Sequence, residues 1–298
     1  MARVLVTGGA GFIGYHVVRE LLERGYEVRV LDNLSRSSYR EVERLCELVR
    51  ADVRDPGALM RALRGCEAVV HLAALISVEE SMREPRLYHE VNAGGTLNVV
   101  ICSLKAGVRK LVYASSAAVY GEPVSLPVTE DHPTRPSSVY GASKLAGESY
   151  AMAFGHRMRV TVLRLFNVYG SLRRVTPSAV EIFMGRMLRG DPVTVYGDGR
   201  QTRDLIHVLD VARAFALAVE GDHPGVFNVA SGRPVEILDL VRAIASVVGV
   251  KARVVHRPPR PGEIRHSYAS IERIRREMGF EPRISLEEGL RLTLGTAS

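Results

Sequence analysis

The sequence predicts an α/β protein built on a doubly wound parallel sheet with helices on both faces. Three observations carry this. Helical and strand-like runs alternate from residue 2 to about 165, the pattern of successive β-α units. The apolar run Arg3-Val4-Leu5-Val6 feeds straight into a glycine-rich turn and then an amphipathic stretch. A second apolar run, Tyr26 to Leu31, ends on an acid, Asp32. At 298 residues with 46% apolar content the chain can bury a large core, as one big domain or as a large and a small lobe.

The first strand is short and apolar, so it reads as buried. In Thr7-Gly8-Gly9-Ala10-Gly11-Phe12-Ile13-Gly14, Gly8 permits a tight turn. Gly11 lets backbone approach a pyrophosphate, and Gly14 lets helix and strand pack closely. The helix that follows covers Tyr15 to Glu23, with Gly25 placed to end it. Its N-terminus offers free amides and the positive end of the macrodipole to phosphates. The glycine spacing between a strand and a helix therefore predicts a dinucleotide site. At the end of the second run, the Asp32 carboxylate hydrogen-bonds ribose hydroxyls and repels a 2′-phosphate, so NAD is favoured over NADP. Arg36, four residues on, points the other way. Further along, Lys110 to Ser115 reads as a strand with Ser116 at its carboxyl edge, where open α/β sheets bind ligands.

Tyr140 and Lys144 stand four residues apart in Val139-Tyr140-Gly141-Ala142-Ser143-Lys144, a spacing that stacks them on one helix face. A phenol has a pKa of about 10 and is a poor base alone. An ammonium within several ångströms lowers that value. Lys105, Lys110, Lys144 and Lys251 are the only lysines, with arginine carrying nearly all other positive charge. Lysine here therefore suggests a need for a compact point charge that a planar guanidinium cannot imitate.

Composition narrows the class. The +7 charge is dispersed over arginines with no basic block, and aromatic content is 6%, which disfavours nucleic acid. No apolar run is long enough to span a membrane, and the start shows no signal-peptide pattern. Cys46, Cys66 and Cys102 are odd in number and lack metal spacing, which suggests a reduced cytoplasmic setting and no metal site.

With Asp32-Asn33-Leu34, Ala51-Asp52-Val53, His71-Leu72-Ala73-Ala74, Asn92-Ala93-Gly94-Gly95-Thr96 and Ser115 to Gly121, the glycine turn and the Tyr140–Lys144 pair begin a longer series. It continues through Arg164-Leu165-Phe166-Asn167-Val168-Tyr169-Gly170, Gly199 to Val208, and Arg260-Pro261-Gly262-Glu263. In this order the chain resembles the extended short-chain dehydrogenase/reductases, and within them nucleotide-sugar 4-epimerases of the UDP-glucose 4-epimerase type.

The resemblance implies an NAD-binding Rossmann domain over residues 1–166, with a segment near 204–230 packing back on it. Residues 167–298 would form mainly a smaller nucleotide-sugar-binding α/β lobe. Tyr140, Lys144 and Ser116 would be catalytic. The cofactor would be held by Gly8, Gly11, Phe12, Ile13, Gly14, Asp32, Asn33, Ser35, Arg36, Ser37, Asp52, Val53, Leu72, Ala73, Ala74, Asn92, Ser115 and Val168, together with Tyr140 and Lys144. A UDP-sugar would meet Ser77, Ser116, Tyr140, Asn167, Val180, Tyr196, Arg203, Arg260, Glu263 and Ser267. Ser267 falls where the family gates the space beside the sugar C2 substituent, and a serine leaves room for an acetamido group. His71, Asp204 and Asp210 read as structural. Ala117, Ala118 and Val119 replace the acidic pair of the 4,6-dehydratases and the glutamate of the decarboxylases, and no cysteine stands there. Those side chains shuttle no proton, which leaves epimerisation. Alternatives are a UDP-N-acetylhexosamine or UDP-uronate 4-epimerase, or a non-catalytic dinucleotide-binding sensor or RNA-associated protein. A homodimer through the helix from Asn92 to Lys105 and the Tyr140 helix is also implied.

Overall fold

The computed structural model describes residues 2–37, 39–259 and 264–297. β1 (Arg3–Thr7) is the central strand, and Val4, Leu5 and Val6 are fully buried. A strand covered on both faces needs such an unbroken apolar run rather than an alternation. α1 (Phe12–Glu23) starts three residues earlier than expected, because Gly11 takes the N-cap directly off the turn. Its inward face is Gly14, Val17, Val18 and Leu21. β2 (Glu27–Asp32) and β3 (Glu47–Arg50) extend the sheet on one side. α2 (Pro56–Ala62) opens on Asp55, which accepts from the Ala58 amide at 3.0 Å, with Pro56 in the first turn.

β4 (Ala68–His71) pairs with the other edge of β1. His71 bonds Thr7 Oγ1 at 2.6 Å and Thr96 Oγ1 at 2.9 Å, the structural part expected of it. α3 (Val78–Arg83) and α4 (Pro85–Tyr88) lead through a π-helical turn, His89–Gly94, into α5 (Gly95–Lys105). β5 (Lys110–Ser116), α6 (Val139–Ala153) and β6 (Arg159–Leu165) follow.

β7 (Asn167–Tyr169), α7 (Ala179–Leu188), β8 (Val193–Tyr196) and β9 (Thr202–His207) open a second lobe. The chain then returns to the first: α8 (Val208–Glu220) packs on α1, and β10 (Gly225–Val229) pairs with β6. The main sheet has seven parallel strands in the order β10-β6-β5-β4-β1-β2-β3. β11 (Pro234–Glu236), α9 (Ile237–Val248), β12 (Val254–Arg257) and β13 (His266–Ser267) finish the second lobe. Here β9 pairs with β7, β11 and β13, and β12 with β8. Its core gathers Tyr169, Val180, Met184, Leu240 and Ile244. Asp204 ties this lobe together, accepting from the amides of Ser231 (2.7 Å), Gly232 (3.0 Å) and Ala269 (3.2 Å). Asp210 similarly accepts from the amides of Arg283 and Ile284, both at 3.0 Å.

Two buried histidines, His71 and His207, and the half-buried His16, whose ring nitrogens are out of contact with solvent, are held neutral. Burial pushes His71 down to about 3, and His16 and His207 down to about 4. His16 packs edge-on to the rings of Phe12, Tyr15 and Tyr39, and neither of its ring nitrogens has a hydrogen-bond partner among the described residues. Because these folded values lie below the unfolded histidine value of about 6.5, the unfolded chain binds more protons as pH falls from there toward 4. Stability is therefore present at neutral pH and lost through that window. Replacing His16→Phe should lessen the fall in urea midpoint between about pH 7 and pH 5; an equal fall in both proteins would contradict the assignment.

Candidate active site

A cavity of about 570 Å³ lies at the carboxyl ends of β1, β2, β4 and β5. The glycine turn forms its floor. Gly8 has φ +73°, and a Cβ there would come within 2.7 Å of the Ala73 nitrogen, so the turn and the loop after β4 meet backbone to backbone. A Cβ on Gly14 would collide with the Gly8 carbonyl. Gly11 differs: a Cβ there meets one protein atom, Gly8 O at 3.2 Å, and the residue faces the cavity. Its lack of a side chain serves the groove more than the fold. Phe12, Ile13, Leu72, Ala73, Ala74 and Val168 complete this wall.

Asp32 stands at the β2 end of the groove. Its carboxylate accepts from the Ala10 amide (3.0 Å), the Leu34 amide (2.8 Å) and the Ser37 hydroxyl (3.2 Å). These bonds pin the glycine turn and hold Leu34 at φ +58°, a conformation non-glycine residues rarely adopt. Ser37 acts through Asp32 rather than on the cavity wall. Asn33, Ser35, Arg36, Asp52 and Val53 line the same end. Asp52 accepts from Arg54 Nε at 2.9 Å and Asn33 Nδ2 at 2.8 Å, and the Arg54 guanidinium holds it down at about 2.

The proton-transfer groups stand at the other end. Ser138 caps α6 by accepting from the Gly141 amide at 3.1 Å, which fixes Tyr140 in the first turn and Lys144 one turn on. Tyr140, Lys144, Ser115 and Ser116 all line the cavity. Burial pushes the Tyr140 phenol above its ordinary value, while the Ser116 hydroxyl beside it works in the opposite direction. Lys144 Nζ donates to the Ala114 carbonyl at 2.8 Å, and burial lowers the ammonium to about 8. The Tyr140–Lys144 spacing predicts an ammonium that acidifies the phenol. In this site desolvation outweighs it, because Lys144 is turned onto the strand. Behind them, Glu148 accepts from Ser115 Oγ and forms a buried ion pair with Arg164 at 2.8 Å.

Several expected residues lie off the wall. Asn92 is buried: its oxygen accepts from the Leu75 amide at 2.8 Å, and its nitrogen donates to Leu75 O at 2.9 Å and Ser143 Oγ at 3.0 Å. It shapes the loop over the cavity, and its amide is not presented to a cofactor. Val180 is fully buried in the second core, so its side chain presents nothing to a substrate. Ser77 caps α3, accepting from the Glu80 amide at 3.1 Å. Asn167 donates to Asp204 O at 3.1 Å. In the small sheet Ser267 pairs with Arg203, and Asn167 with Leu205, two residues beyond Arg203. Directly paired residues share a face, and so do residues two apart, so Asn167, Arg203 and Ser267 point to one side. Tyr196 lies on β8 beside Arg257. Arg260 and Glu263 lie outside the described residues.

The family model for the NAD dependent epimerase/dehydratase family matches residues 4–230. The chain belongs to that family. A solved structure of UDP-glucose 4-epimerase from Thermotoga maritima, with UDP-glucose, is 39% identical and superposes with a TM-score of 0.93, over 99% of this chain and 98% of that one. The Thermus thermophilus UDP-glucose 4-epimerase, in complex with NAD, is 40% identical with a TM-score of 0.92 over the same shares. A Methanobrevibacter ruminantium UDP-N-acetylglucosamine 4-epimerase, in complex with UDP-N-acetylmuramic acid, is 34% identical with a TM-score of 0.94, over 99% of this chain and 97% of that one.

This family member also lines its cavity with residues the sequence reading missed. Arg174 sits over the Phe12 ring at 4.4 Å and donates to Val168 O at 2.7 Å. Arg54, Ile76, Leu87 and Val91 are further wall residues. Arg54 directly follows Ala51-Asp52-Val53, Val91 directly precedes Asn92, and Arg174 lies just past Asn167-Val168-Tyr169-Gly170, so adjacency to a motif was the signal available for them. Among the described residues, no group of three or more His, Cys, Asp or Glu is placed to hold a metal ion.

Proposed function

We propose that this chain is an NAD-dependent nucleotide-sugar 4-epimerase that interconverts UDP-glucose and UDP-galactose. The observation that carries the reading is one continuous cavity joining the glycine turn to Ser116, Tyr140 and Lys144, with the acid-free residues Ala117, Ala118 and Val119 immediately after Ser116. The relatives solved with UDP-glucose and with NAD support the substrate and the cofactor.

The residues fit NAD: the open side of Gly11 and the α1 N-terminus suit a pyrophosphate, and the Asp32 end suits an unphosphorylated ribose. Bound there, NAD supplies the acceptor and donor for a hydride at the sugar C4. Lys144, whose Nζ lies at the Ala114 carbonyl, would hold the cofactor ribose. Tyr140 Oη takes the proton from the sugar 4-hydroxyl and later returns it, while Ser116 Oγ hydrogen-bonds the same oxygen. The 4-keto sugar stays bound through its nucleotide, turns its other face, and is reduced again. Arg203 and Asn167 lie on one sheet face and serve the nucleotide end. Two copies pair through α5 and α6, which pack side by side and leave Ile101 and Met152 exposed; a strictly monomeric species in light scattering at micromolar concentration removes the dimer.

Substrate breadth follows from Ser267. Its register puts it on the face of Arg203 and Asn167, with the bulkier Tyr268 one place beyond. The relative that epimerises UDP-N-acetylglucosamine favours a site that accepts N-acetylated forms as well.

One assay tests both statements. Wild type incubated with UDP-galactose should form UDP-glucose, resolved by anion exchange, and Tyr140→Phe should lower turnover by at least about 10²-fold. Near-normal turnover in that variant means another group carries the proton. UDP-N-acetylglucosamine should also turn over, and Ser267→Tyr should suppress it while sparing UDP-galactose. An inert N-acetyl sugar in wild type, or unchanged turnover in Ser267→Tyr, removes the gate.

A further inference from the structure

One ion pair on the cavity rim has no part in the chemistry above. Arg36 follows β2 and lines the cavity, and both of its terminal nitrogens donate to Glu80 of α3, Nη1 to Oε2 at 2.8 Å and Nη2 to Oε1 at 2.5 Å. Their places in the sheet give this pair its meaning. β1 lies between β2 and β4, and the glycine turn leaves the end of β1. A bridge from the segment after β2 to the helix after β4 therefore joins the two banks of the groove whose floor is the glycine turn.

Both ends are anchored, unlike those of an ordinary surface pair. Glu80 Oε2 also accepts from the hydroxyl of the fully buried Tyr88 at 3.0 Å, and that hydroxyl accepts from the Ser77 amide at 2.9 Å. α3 is fixed to the Tyr140 helix as well, since Ser81 Oγ accepts from the Tyr140 amide at 3.1 Å. On the other bank, the segment bearing Arg36 is held by Asp32 through Leu34 and Ser37. The bridge thus links the Asp32 end of the groove to the catalytic helix.

We propose that Arg36 and Glu80 form a clasp across the dinucleotide groove that slows release of the cofactor, and that Glu80 keeps Arg36 from serving a 2′-phosphate. The clasp rests on the dinucleotide reading above. An epimerase returns the hydride it has taken, so a cofactor that left in mid-cycle would strand the keto sugar. A clasp of one bidentate pair opposes that loss without touching the reacting atoms. It also keeps the Arg36 guanidinium engaged, where a free one would favour the phosphorylated dinucleotide.

The test reads binding rather than turnover. Protein loaded with NADH is mixed with excess NAD, and release is followed by the loss of NADH fluorescence. Arg36→Ala and Glu80→Gln should each release NADH about two- to fivefold faster, the range open to a partly exposed ion pair. Salt at about 1 M, which shortens screening to about 3 Å, should speed release in wild type and change it little in either variant. The reversed pair, Arg36→Glu with Glu80→Arg, should be slower than either single change. Glu80→Gln should bind NADPH more tightly than wild type, and Arg36→Ala should not. Release at the wild-type rate in both single variants, or a reversed pair as fast as the singles, overturns the clasp. Failure of wild type to bind NADH at all overturns the dinucleotide reading instead.

Discussion

A single buried carboxylate, Glu148, sets the geometry on which the site depends. It stands one turn beyond Lys144 on α6, holds Ser115 at the end of β5, and grips Arg164 of β6. Arg164 in turn donates to Glu130 O at 3.1 Å and lies over the Tyr120 ring at 4.8 Å. Helix, two strands and the connecting segment are thereby tied at one point beneath Ser116, Tyr140 and Lys144. Removing one member of such a buried pair leaves the other charge uncompensated, at a cost of about 3–5 kcal/mol. The pair therefore specifies position more than it adds stability. Gly147 helps from the same helix, since a Cβ there would strike the Tyr113 hydroxyl.

Burial works against both charged forms in the reacting pair: it raises the Tyr140 phenol and lowers the Lys144 ammonium to about 8. Neither group relieves the other directly: Lys144 Nζ is spent on the Ala114 carbonyl, and the Ser116 hydroxyl is what works to bring the phenol down. The groove divides its labour accordingly. The Asp32 end is rich in bonds that fix backbone, while the β5 end keeps hydroxyls facing the cavity.

The parts of the site legible in the sequence are those where one residue answers to local backbone geometry. Gly8, Gly14, Asp32 and the Tyr140–Lys144 spacing each follow from a turn, a strand end or a helix period. His71 and Asp210 were also legible as structural, since one ends a strand and the other opens a helix, while Asp204 sits inside β9 and holds the Ser231–Gly232 turn. What stayed hidden depends on partners distant in sequence. Asn92 spends its amide on Leu75 and Ser143 because a π-helical turn, which no pattern announced, aims it at that loop. Val180, which the resemblance places among the UDP-sugar contacts, falls on the inner face of α7. The hold of Arg54 on Asp52 and of Glu80 on Arg36 required knowing which side chains share a rim.

The fate of the hydrogen at C4 is the most direct measure of the chemistry. UDP-galactose carrying deuterium at C4 would be turned over in ordinary water and the UDP-glucose examined by mass spectrometry and NMR. Return of the same hydride within one cavity predicts that the product keeps the label at C4. Loss of the label to solvent, or free reduced dinucleotide appearing in step with product, would contradict it.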